Sequence, residues 1–313
     1  MTVARTRDLD GRLIVLVGGT GFFGRHLAQE LLARGARLRI AARHPEKAHR
    51  VRPLGNLGQV QIVAADVTKP HTVAVALTGA DAVVNLVGAF AGDLDAVQGA
   101  GAGRLAALAA AAGAKAFVHI SAIGADASSA VGYARTKALG EAAVLAAFPE
   151  AVVLRPSILF GADDTFLTMF AGLMAMPVLP VFAPEARLQP LDVDDAAEAV
   201  GNALADPAAH AGKTYELAGP EQISMIELNR RIARATRRSP ILLPLSDGLG
   251  AFIAAMPLTP ISKDQYALLR QGNVASGTVP GIADLGVKAR PLDLFLDRWL
   301  VTYRRHGRFG ASA

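Results

Sequence analysis

Residues 13–24 read Leu13-Ile-Val-Leu-Val-Gly-Gly-Thr-Gly-Phe-Phe-Gly24, and this stretch decides the fold. Its apolar first half predicts a buried strand, and its glycine-rich second half leads into a helical pattern. The G-x-G-x-x-G spacing permits a tight turn, close approach of backbone to a pyrophosphate and close packing of helix against strand. Because a helix N-terminus offers N–H donors to anions, the motif predicts a dinucleotide site. The predicted contacts are Gly18, Gly19, Thr20, Gly21, Phe22, Phe23 and Gly24.

Two other interpretations of this loop can be compared with that one. A Walker A loop needs Lys followed by Ser or Thr after Gly24, and the chain continues with Arg25 and His26, which excludes that motif. A glycine turn with a purely structural role remains the alternative.

Alternating strands and helices continue beyond this loop. Short β-branched runs predict strands at Arg12–Val17, Arg37–Ala42, Val60–Ala64, Ala82–Leu86, Ala116–Ile120 and Val152–Arg155. Longer periodic runs predict helices at Phe22–Ala33, Leu94–Ala112 and Tyr133–Ala147. Repeated βαβ units form a doubly wound, mostly parallel α/β sheet of Rossmann type. We therefore expect residues 1–160 to form a NAD(P)-binding Rossmann domain.

Residues 161–313 have a less regular pattern, which predicts a smaller, mixed C-terminal module for a substrate or partner, interleaved with the sheet. Its predicted elements are the helices Val193–Leu204, Ser224–Arg237, Ser262–Arg270 and Leu292–Arg304 and the strand Thr214–Leu217. The apolar segment Ile241–Leu258 is either a partner or lipid contact or ordinary core. An arginine cluster either faces phosphates or is a solvated helix face. Its members are Arg230, Arg231, Arg234, Arg237 and Arg238.

Composition excludes several classes of protein. The 313 residues are 52% apolar and contain no cysteine, which excludes a disulfide scaffold, a cysteine-ligated metal and a thiol nucleophile. No metal-ligand spacing and no nucleic-acid-binding motif is present. Prolines interrupt the apolar segments Ala171–Pro184 and Ile241–Leu258, so we expect no transmembrane helix. The N-terminal residues show no secretory signal, so we expect a cytoplasmic protein. The net charge of +5 permits an anionic partner or membrane face, or reflects nucleotide bias.

The end of the second predicted strand indicates which nucleotide is bound. NAD-binding folds place an acidic residue there to bind the ribose, whereas this chain has Arg43. An arginine can pair with a 2′-phosphate, so NADPH is preferred, NADH remains possible, and a solvated arginine is the alternative. Asp66 and Val67 follow the third strand, where an adenine amino group could be held, although Asp66 could equally cap a helix.

Two further groups of residues complete the predicted site. Asn85, Val87 and Gly88 follow the fourth strand, where they either lie beside the cofactor or form a simple loop. Ser121 ends the fifth strand, and a Tyr and a Lys four residues apart begin the next helix on one face.

In that second group, Lys137 is expected to lower the pKa of Tyr133 from about 10 towards neutral, while Ser121 orients a substrate oxygen. A Tyr–Lys pair that only packs is the alternative. His119, inside the strand, is expected to be a core histidine with satisfied hydrogen bonds.

Together these motifs resemble the short-chain dehydrogenase/reductase superfamily, in its extended and atypical branch with the NAD-dependent epimerases and dehydratases. The motifs are GGTGFFG, Asp66-Val67, Asn85-Leu-Val-Gly88, Ser121, Tyr133-x-x-x-Lys137 and Leu154-Arg-Pro-Ser157. Within it the chain is most similar to the family of the NADPH-binding accessory subunit of respiratory complex I and its bacterial homologues. The matching phrases are GGTGFFGRHL, VHISAIGADASSAVGYARTKALGE, LRPSILFGADD, QPLDVDDAAEAV and PLTPISKDQYALLRQGNV.

The resemblance implies a bound, structural or regulatory NADPH in an accessory or assembly subunit of NADH:quinone (ubiquinone) oxidoreductase. Such a subunit docks on subunits of complex I through its C-terminal half and touches the membrane peripherally, on the cytoplasmic face of the inner membrane. It also implies that Lys137 contacts the ribose and that Pro156, Ser157 and Ile158 contact the nicotinamide.

Two departures from the family pattern bear on this resemblance. The short interval between Ser121 and Tyr133 leaves little room for a large substrate loop, and Gly272 replaces the family's acidic residue before Asn273. Two alternatives stay open. One is a working NADPH-dependent oxidoreductase, epimerase or dehydratase on a small carbonyl or hydroxyl compound; the other is a redox-sensing regulator.

Overall fold

The computed structural model describes residues 7–256, 261–305 and 307. The strands are β1 (Leu13–Val17), β2 (Arg37–Ala42), β3 (Val60–Ala64), β4 (Ala82–Asn85), β5 (Ala116–Ile120), β6 (Val152–Pro156), β7 (Leu159–Phe160), β8 (Val178–Val181), β9 (Arg187–Leu188), β10 (Leu191–Asp192), β11 (Thr214–Leu217), β12 (Ile223–Ser224) and β13 (Ile241–Pro244). The helices are α1 (Phe22–Ala33), α2 (Pro70–Leu77), α3 (Leu94–Gln98), α4 (Ala100–Ala111), α5 (Gly132–Ala147), α6 (Phe166–Leu173), α7 (Val193–Ala205), α8 (Pro207–His210), α9 (Met225–Thr236), α10 (Asp247–Ala254), α11 (Lys263–Gln271) and α12 (Asp293–Trp299). Short 3-10 turns lie at Pro45–Arg50, Arg52–Leu54, Ile282–Leu285 and Leu300–Tyr303.

Residues from separate parts of the chain form two compact units. The first contains the described residues up to Pro156 together with Val193–Leu217 and Ser276–Lys288. The second contains Ser157–Asp192, Ala218–Ala275 and the described residues from Ala289 onward. The sequence suggested a boundary after residue 160 with a C-terminal module interleaved with the sheet, and the chain passes between the two units several times.

The first unit is built on a seven-stranded sheet in the order β11-β6-β5-β4-β1-β2-β3, and every pairing in it is parallel. This confirms the predicted doubly wound Rossmann-type sheet. The chain leaves β1 towards β2 on one side and later returns to β4 on the other, so the strand order reverses between β1 and β4. Open α/β sheets bind ligands at such a point, beyond the carboxyl ends of the strands.

Helices cover both faces of this sheet. All five residues of β1 are buried, and they point alternately to the two faces. Val15 and Val17 pack with α2, α4 and α5 in one apolar core cluster. Helices α1 and α7 pack against each other and against β2 and β5, respectively. A strand buried on both faces explains why residues 13–17 are a continuous apolar run.

Several elements differ from the sequence-based expectation. The helix expected over Leu94–Ala112 is two helices, α3 and α4, because Gly99 between them has a non-helical backbone conformation; the Asp95 carboxylate accepts a hydrogen bond from the Ala100 N–H where α4 begins. Helix α2 was not predicted. The helix expected over Leu292–Arg304 becomes 3-10 after Trp299. Strand β11 was expected in the smaller module, but it pairs with β6 as the seventh strand of the main sheet.

The second unit is a mixed module of helices and three two-stranded sheets. Its pairs β7–β10 and β8–β13 are parallel, and β9–β12 is antiparallel. Helices α6, α9 and α12 enclose its main apolar core. The predicted arginine cluster on α9 is largely paired within this unit, because Arg231 contacts Glu221, Glu227 and Asp293, and Arg234 contacts Glu227.

Apolar side chains are exposed along β13 and α10. Ile241 is 67% exposed, Leu243 50% and Phe252 66%. The segment is thus divided, because Leu245 and Ala254 are buried in a core cluster while these three side chains are exposed. Residues 257 and 258 of the segment, the Pro257–Pro260 part of the C-terminal family phrase and residues 1–6 lie outside the described residues.

Within residues 7–256 and 261–305, no helix combines the length and apolar composition needed to cross a membrane. The same stretch of chain holds no cluster of three or more His, Asp or Glu side chains that could bind a metal ion.

Candidate functional site

The glycine-rich loop leads directly into the uncapped start of α1. Gly18 has a φ of 83°, in the left-handed region that favours glycine. A Cβ on Gly24 would lie 2.5 Å from the carbonyl oxygen of Gly19, so only glycine permits this packing. Gly21 is the N-cap residue, no side chain caps the helix, and its first turn has no acidic residue. The N-terminus of α1 is therefore free to receive a pyrophosphate from this side.

A cleft of about 300 Å³ lies beside this loop. It is lined by residues that follow β1, β2, β3 and β4, the edge where the topology places a ligand. The predicted residues that line it are Gly18, Thr20, Gly21, Arg43, Asp66, Val67, Val87 and Gly88. Other predicted residues are not among the lining residues, namely Gly19, Phe22, Phe23, Gly24, Asn85, Ser121, Tyr133, Lys137 and Pro156. The cleft thus extends from the phosphate loop to the ends of β2 and β3.

Positive charge collects at the β2 end of the cleft. Arg43 and Lys47 line it and are exposed, and sequence reasoning identified only Arg43. His44 lines it too, with its ring 3.2 Å from the Glu46 carboxylate. Asp66 lies on the same wall. Hydrogen bonds from the Thr68 N–H and hydroxyl hold the pKa of Asp66 below its usual value, and Arg43 adds to this effect.

The carboxylate of Asp66 does not cap a helix, because the N-cap residue of α2 is Lys69. Asp66 is therefore an ionised acceptor on the cleft wall, and the helix-cap alternative is wrong.

Asn85 shapes the loop after β4 from inside the protein. Its side-chain oxygen accepts a hydrogen bond from the Val87 N–H at 3.0 Å, and its amide nitrogen donates to Nδ1 of His119 at 3.1 Å. Asn85 therefore holds Val87 and Gly88 in place at the cleft.

His119 is fully buried, as expected, but its Nε2 has no hydrogen-bond partner among the described residues. Only one of its two ring nitrogens therefore has the hydrogen bond that the sequence led us to expect. Burial, with a smaller effect of Lys137, lowers the pKa of His119 to about 3. The imidazole is neutral at physiological pH.

Lys137 is the centre of the predicted Ser–Tyr–Lys set. Its Nζ donates to the carbonyl oxygen of Ile120 at 2.9 Å and to that of Val87 at 3.4 Å, and it lies 6.0 Å from the centroid of the Tyr133 ring. Ser121 is buried, and its Oγ makes no hydrogen bond to any described residue. The fold thus brings Lys137 next to the strand end that carries Ser121, beside the loop that lines the cleft.

The titration of this set differs from the expectation. Burial raises the pKa of Tyr133 to about 12, and burial lowers the pKa of Lys137 to about 8, opposed by the charge of Glu141. The expectation that Lys137 makes Tyr133 more acidic is therefore wrong in this structure. The ammonium is directed at two backbone carbonyls, and desolvation of the phenol dominates.

Sequence reasoning missed a buried bridge beside this set. The Gln98 side-chain oxygen accepts from the Ala89 N–H at 3.0 Å, and its amide nitrogen donates to the Thr136 hydroxyl at 2.8 Å. The ring of Phe90 stacks on the ring of Tyr133, with centroids 4.5 Å apart and planes inclined by 13°. Gln98 is the last residue of the five-residue helix α3, and no sequence signal indicates that it holds the loop.

The last predicted contacts follow β6. The carbonyl of Pro156 accepts a hydrogen bond from the Ile123 N–H at 3.1 Å within the first unit. Ser157 and Ile158 belong to the second unit, where the Ser157 hydroxyl donates to the carbonyl of Gln189 and the Ile158 N–H donates to the Asn273 side chain, both at 2.6 Å. Their contact with a nicotinamide stays a prediction.

The departure at Gly272 has a structural correlate. Gly272 has a φ of 81°, and a Cβ there would lie 3.0 Å from the carbonyl oxygen of Arg187. Any side chain with a Cβ, including an acidic one, would be strained at this position of this chain. Asn273 nevertheless keeps its contact with Ile158.

Comparison with known proteins now assigns the family. A family model described as NAD(P)H-binding matches residues 18–164, and a second, described as the RmlD substrate binding domain, matches residues 125–275. The mitochondrial NADH dehydrogenase (ubiquinone) 1 alpha subcomplex subunit 9 of Mus musculus is 30% identical over 314 residues, covering 96% of this chain and 81% of that protein. The chain belongs to this subunit 9 family. The resemblance inferred from its motifs is confirmed.

Two further matches broaden this picture. A ceramide reductase of Caulobacter vibrioides is 33% identical over 190 residues, which cover 59% of this chain and 58% of that protein. An NADPH-dependent quinone oxidoreductase of Escherichia coli, solved with NADPH, has a TM-score of 0.74 at 19% identity and covers 90% of this chain and 98% of that one. The latter shows a shared fold.

The chain of this subunit 9 family member carries a NAD(P)H-binding domain, and its residues fit a nicotinamide dinucleotide. A Cβ at Gly24 would collide with the Gly19 backbone, and one at Gly18 would crowd Leu86 and Val87, so the loop requires glycine at the uncapped N-terminus of α1.

Proposed function

We propose that this protein binds NADP(H) in the cleft of its first unit and acts as an accessory or assembly subunit of NADH:quinone oxidoreductase, complex I. The observation that carries the proposal is the similarity to subunit 9 of complex I along almost the whole chain, in relatives as distant as mouse and Arabidopsis thaliana. The proposed location is the cytoplasmic face of the inner membrane, with peripheral contact and no crossing of the bilayer.

The residues of the first unit have separate roles in holding the nucleotide. The N–H groups at the start of α1 bind the pyrophosphate, and Asp66 accepts from the adenine amino group. Lys137 contacts the ribose, while Asn85 orients the Val87 backbone against the nicotinamide riboside. When bound, the nucleotide supplies a hydride donor or acceptor, and the proposal requires only that it be held.

NADPH is the preferred form in this proposal because two cations, Arg43 and Lys47, line the β2 end of the cleft, and the residue that follows β2 is Arg43 and not an acidic residue. A 2′-phosphate accepts charge-assisted hydrogen bonds from Arg43, whereas a 2′-hydroxyl needs an acceptor that this position lacks. Replacement of Arg43 by alanine removes these bonds.

The variant Arg43→Ala should weaken NADPH binding about tenfold, corresponding to about 1.4 kcal/mol, and leave NADH binding within about twofold. Fluorescence titration with both nucleotides measures this difference. Arg50→Ala is the matched control, because Arg50 is also an exposed arginine after β2 but does not line the cleft. Equal weakening of NADPH and NADH by Arg43→Ala would refute the 2′-phosphate assignment.

The exposed apolar side chains of β13 and α10 supply a contact surface for the complex. Isolated exposed apolar residues are normal, but Ile241 and Leu243 are consecutive outward-facing positions of one strand, and each is at least half exposed. We assign this face to a protein subunit of complex I.

Affinity purification of tagged protein from gently solubilised membranes tests both association and surface. Subunits of NADH:quinone oxidoreductase should co-purify in stoichiometric amounts with the wild type and with Val75→Asp, a change at an exposed apolar residue of the first unit. They should be lost with Leu243→Asp. A clean monomer carrying NADPH would contradict the subunit proposal, and retention of the complex by Leu243→Asp would contradict the surface.

A second candidate function is a reductase for a carbonyl compound. It is favoured by the buried Ser121 hydroxyl, which has no hydrogen-bond partner among the described residues, beside an intact Tyr133 and Lys137. In that case Tyr133→Phe should abolish function in cells while NADPH binding is retained. A Tyr133→Phe variant with full function supports the accessory role instead.

A further inference from the structure

The face of Tyr133 is covered by a neighbouring aromatic ring. Phe90 lies nearly parallel to the phenol ring at 4.5 Å, although 58% of Phe90 itself is exposed. An apolar ring that is mostly in water gains little from its own burial, since the hydrophobic gain scales with the area removed from water. The position of Phe90 is better explained by its contact with the ring of Tyr133, whose face it covers.

The loop that carries Phe90 is anchored to the helix that carries Tyr133. The Ala89 N–H donates to Gln98, and Gln98 donates to the Thr136 hydroxyl. That hydroxyl in turn contacts the carbonyl of Tyr133 at 3.3 Å. Gln98 and Thr136 are both buried, so the bridge is protected from water. Breaking a buried hydrogen bond is costly, because it leaves a polar group without a partner. The bridge therefore holds the loop that carries Phe90 in a fixed position relative to the phenol of Tyr133.

The covered phenol is poorly suited to transfer a proton. Burial holds its pKa near 12, and the charged groups around it do not offset this effect. Lys137 is directed at backbone carbonyls and its own pKa is lowered, while the carboxylate of Glu141 is held by Arg155 through two hydrogen bonds. His119 is neutral.

We propose that Phe90 is an aromatic cover that closes the face of Tyr133 to a flat carbonyl substrate, so that a bound nucleotide is held and not turned over. The inference rests on the proposed nucleotide site and adds to it the residue that keeps an intact Ser–Tyr–Lys set inactive. Phe90 does not line the nucleotide cleft, so Phe90→Ala uncovers the phenol and leaves the residues that line the cleft in place.

The first test measures access to Tyr133 without any nucleotide. Tetranitromethane at pH 8 nitrates accessible and ionisable phenols, and peptide mass spectrometry locates the product. Tyr133 should be nitrated at least about tenfold faster in Phe90→Ala than in wild type, because exposure lowers the phenol pKa towards about 10. Tyr303 is the internal reference, and Phe252→Ala, which removes an exposed phenylalanine of the second unit, is the matched control. Phe90→Leu replaces the variant if the alanine form does not fold.

The second test measures turnover with NADPH and 9,10-phenanthrenequinone as the probe. One carbonyl carbon takes a hydride from NADPH, which becomes NADP+, and the oxygen takes a proton from Tyr133, which water restores. Phe90→Ala should reduce the probe at least about tenfold faster than wild type, and adding Tyr133→Phe should remove the gain. Unchanged nitration, or faster nitration without turnover, overturns the inference. Failure of wild type to bind NADPH in a separate titration overturns the nucleotide site instead, while nitration still tests the cover.

Discussion

His119 makes the first unit sensitive to acid. The imidazole is completely buried, and desolvation lowers its pKa from the usual 6.5 to about 3. The unfolded chain therefore binds a proton below pH 6.5, while the folded chain resists protonation until about pH 3. The stabilisation is complete above pH 6.5 and is lost progressively as the pH falls towards 3.

The size of the effect follows from these two pKa values. Lowering the pH from 7 to 5 should reduce the free energy of unfolding by about 2 kcal/mol through this one residue, since each unit of pKa difference is worth about 1.4 kcal/mol. The variant His119→Gln cannot titrate and should lack this contribution, although its amide can still pair with Asn85.

The free energy of unfolding of wild type and of His119→Gln is measured by urea denaturation at pH 7 and pH 5, followed by circular dichroism. The loss between the two pH values in His119→Gln is then subtracted from the loss in wild type, which leaves the contribution of His119. His71→Gln is the matched control, because His71 is exposed. Fluorescence of Trp299 reports the second unit, to which His119 does not belong. If wild type and His119→Gln lose the same stability on acidification, the reasoning from burial is refuted.

Three other changes test the site. Gly24→Ala places a Cβ 2.5 Å from the Gly19 carbonyl oxygen, and it should cost about 1–3 kcal/mol of stability and at least tenfold in NADPH affinity; an unchanged melting curve and unchanged affinity would contradict the close packing. Lys47→Ala should weaken NADPH by about fivefold and NADH hardly at all in the same titration, and no effect on NADPH would remove Lys47 from the phosphate contacts. Glu141→Gln should reduce stability in urea by about 2–3 kcal/mol, because it leaves the partly buried Arg155 unpaired; a loss below about 0.5 kcal/mol would show that this pair is solvated.

Much of the nucleotide-binding half could be predicted from the sequence because its determinants are local. Strands β2, β3 and β5 and helix α1 have the expected bounds, since the periodicity of their apolar residues is a local property of the chain. The glycine loop needs only its own strand and helix as context. Arg43 could be located by counting strands, because the end of β2 always faces the same part of the nucleotide in this topology.

Other features depend on residues distant in the chain, and only the tertiary structure decided them. Strand β11 joins β6 although a module of the second unit separates them along the sequence. The bridge through Gln98 and the cover by Phe90 depend on how α3 lies against α5, which no local pattern encodes.

The sequence by itself determined six of the seven sheet strands, the glycine-rich loop, the position of Arg43 after β2 and the presence of a Ser–Tyr–Lys set. The tertiary structure decided the state of that set. Spacing along a helix places Lys137 near Tyr133, but their protonation depends on desolvation by surrounding elements and on the carbonyls that the ammonium meets. Residue identity and spacing are local properties, whereas burial is a property of the whole fold.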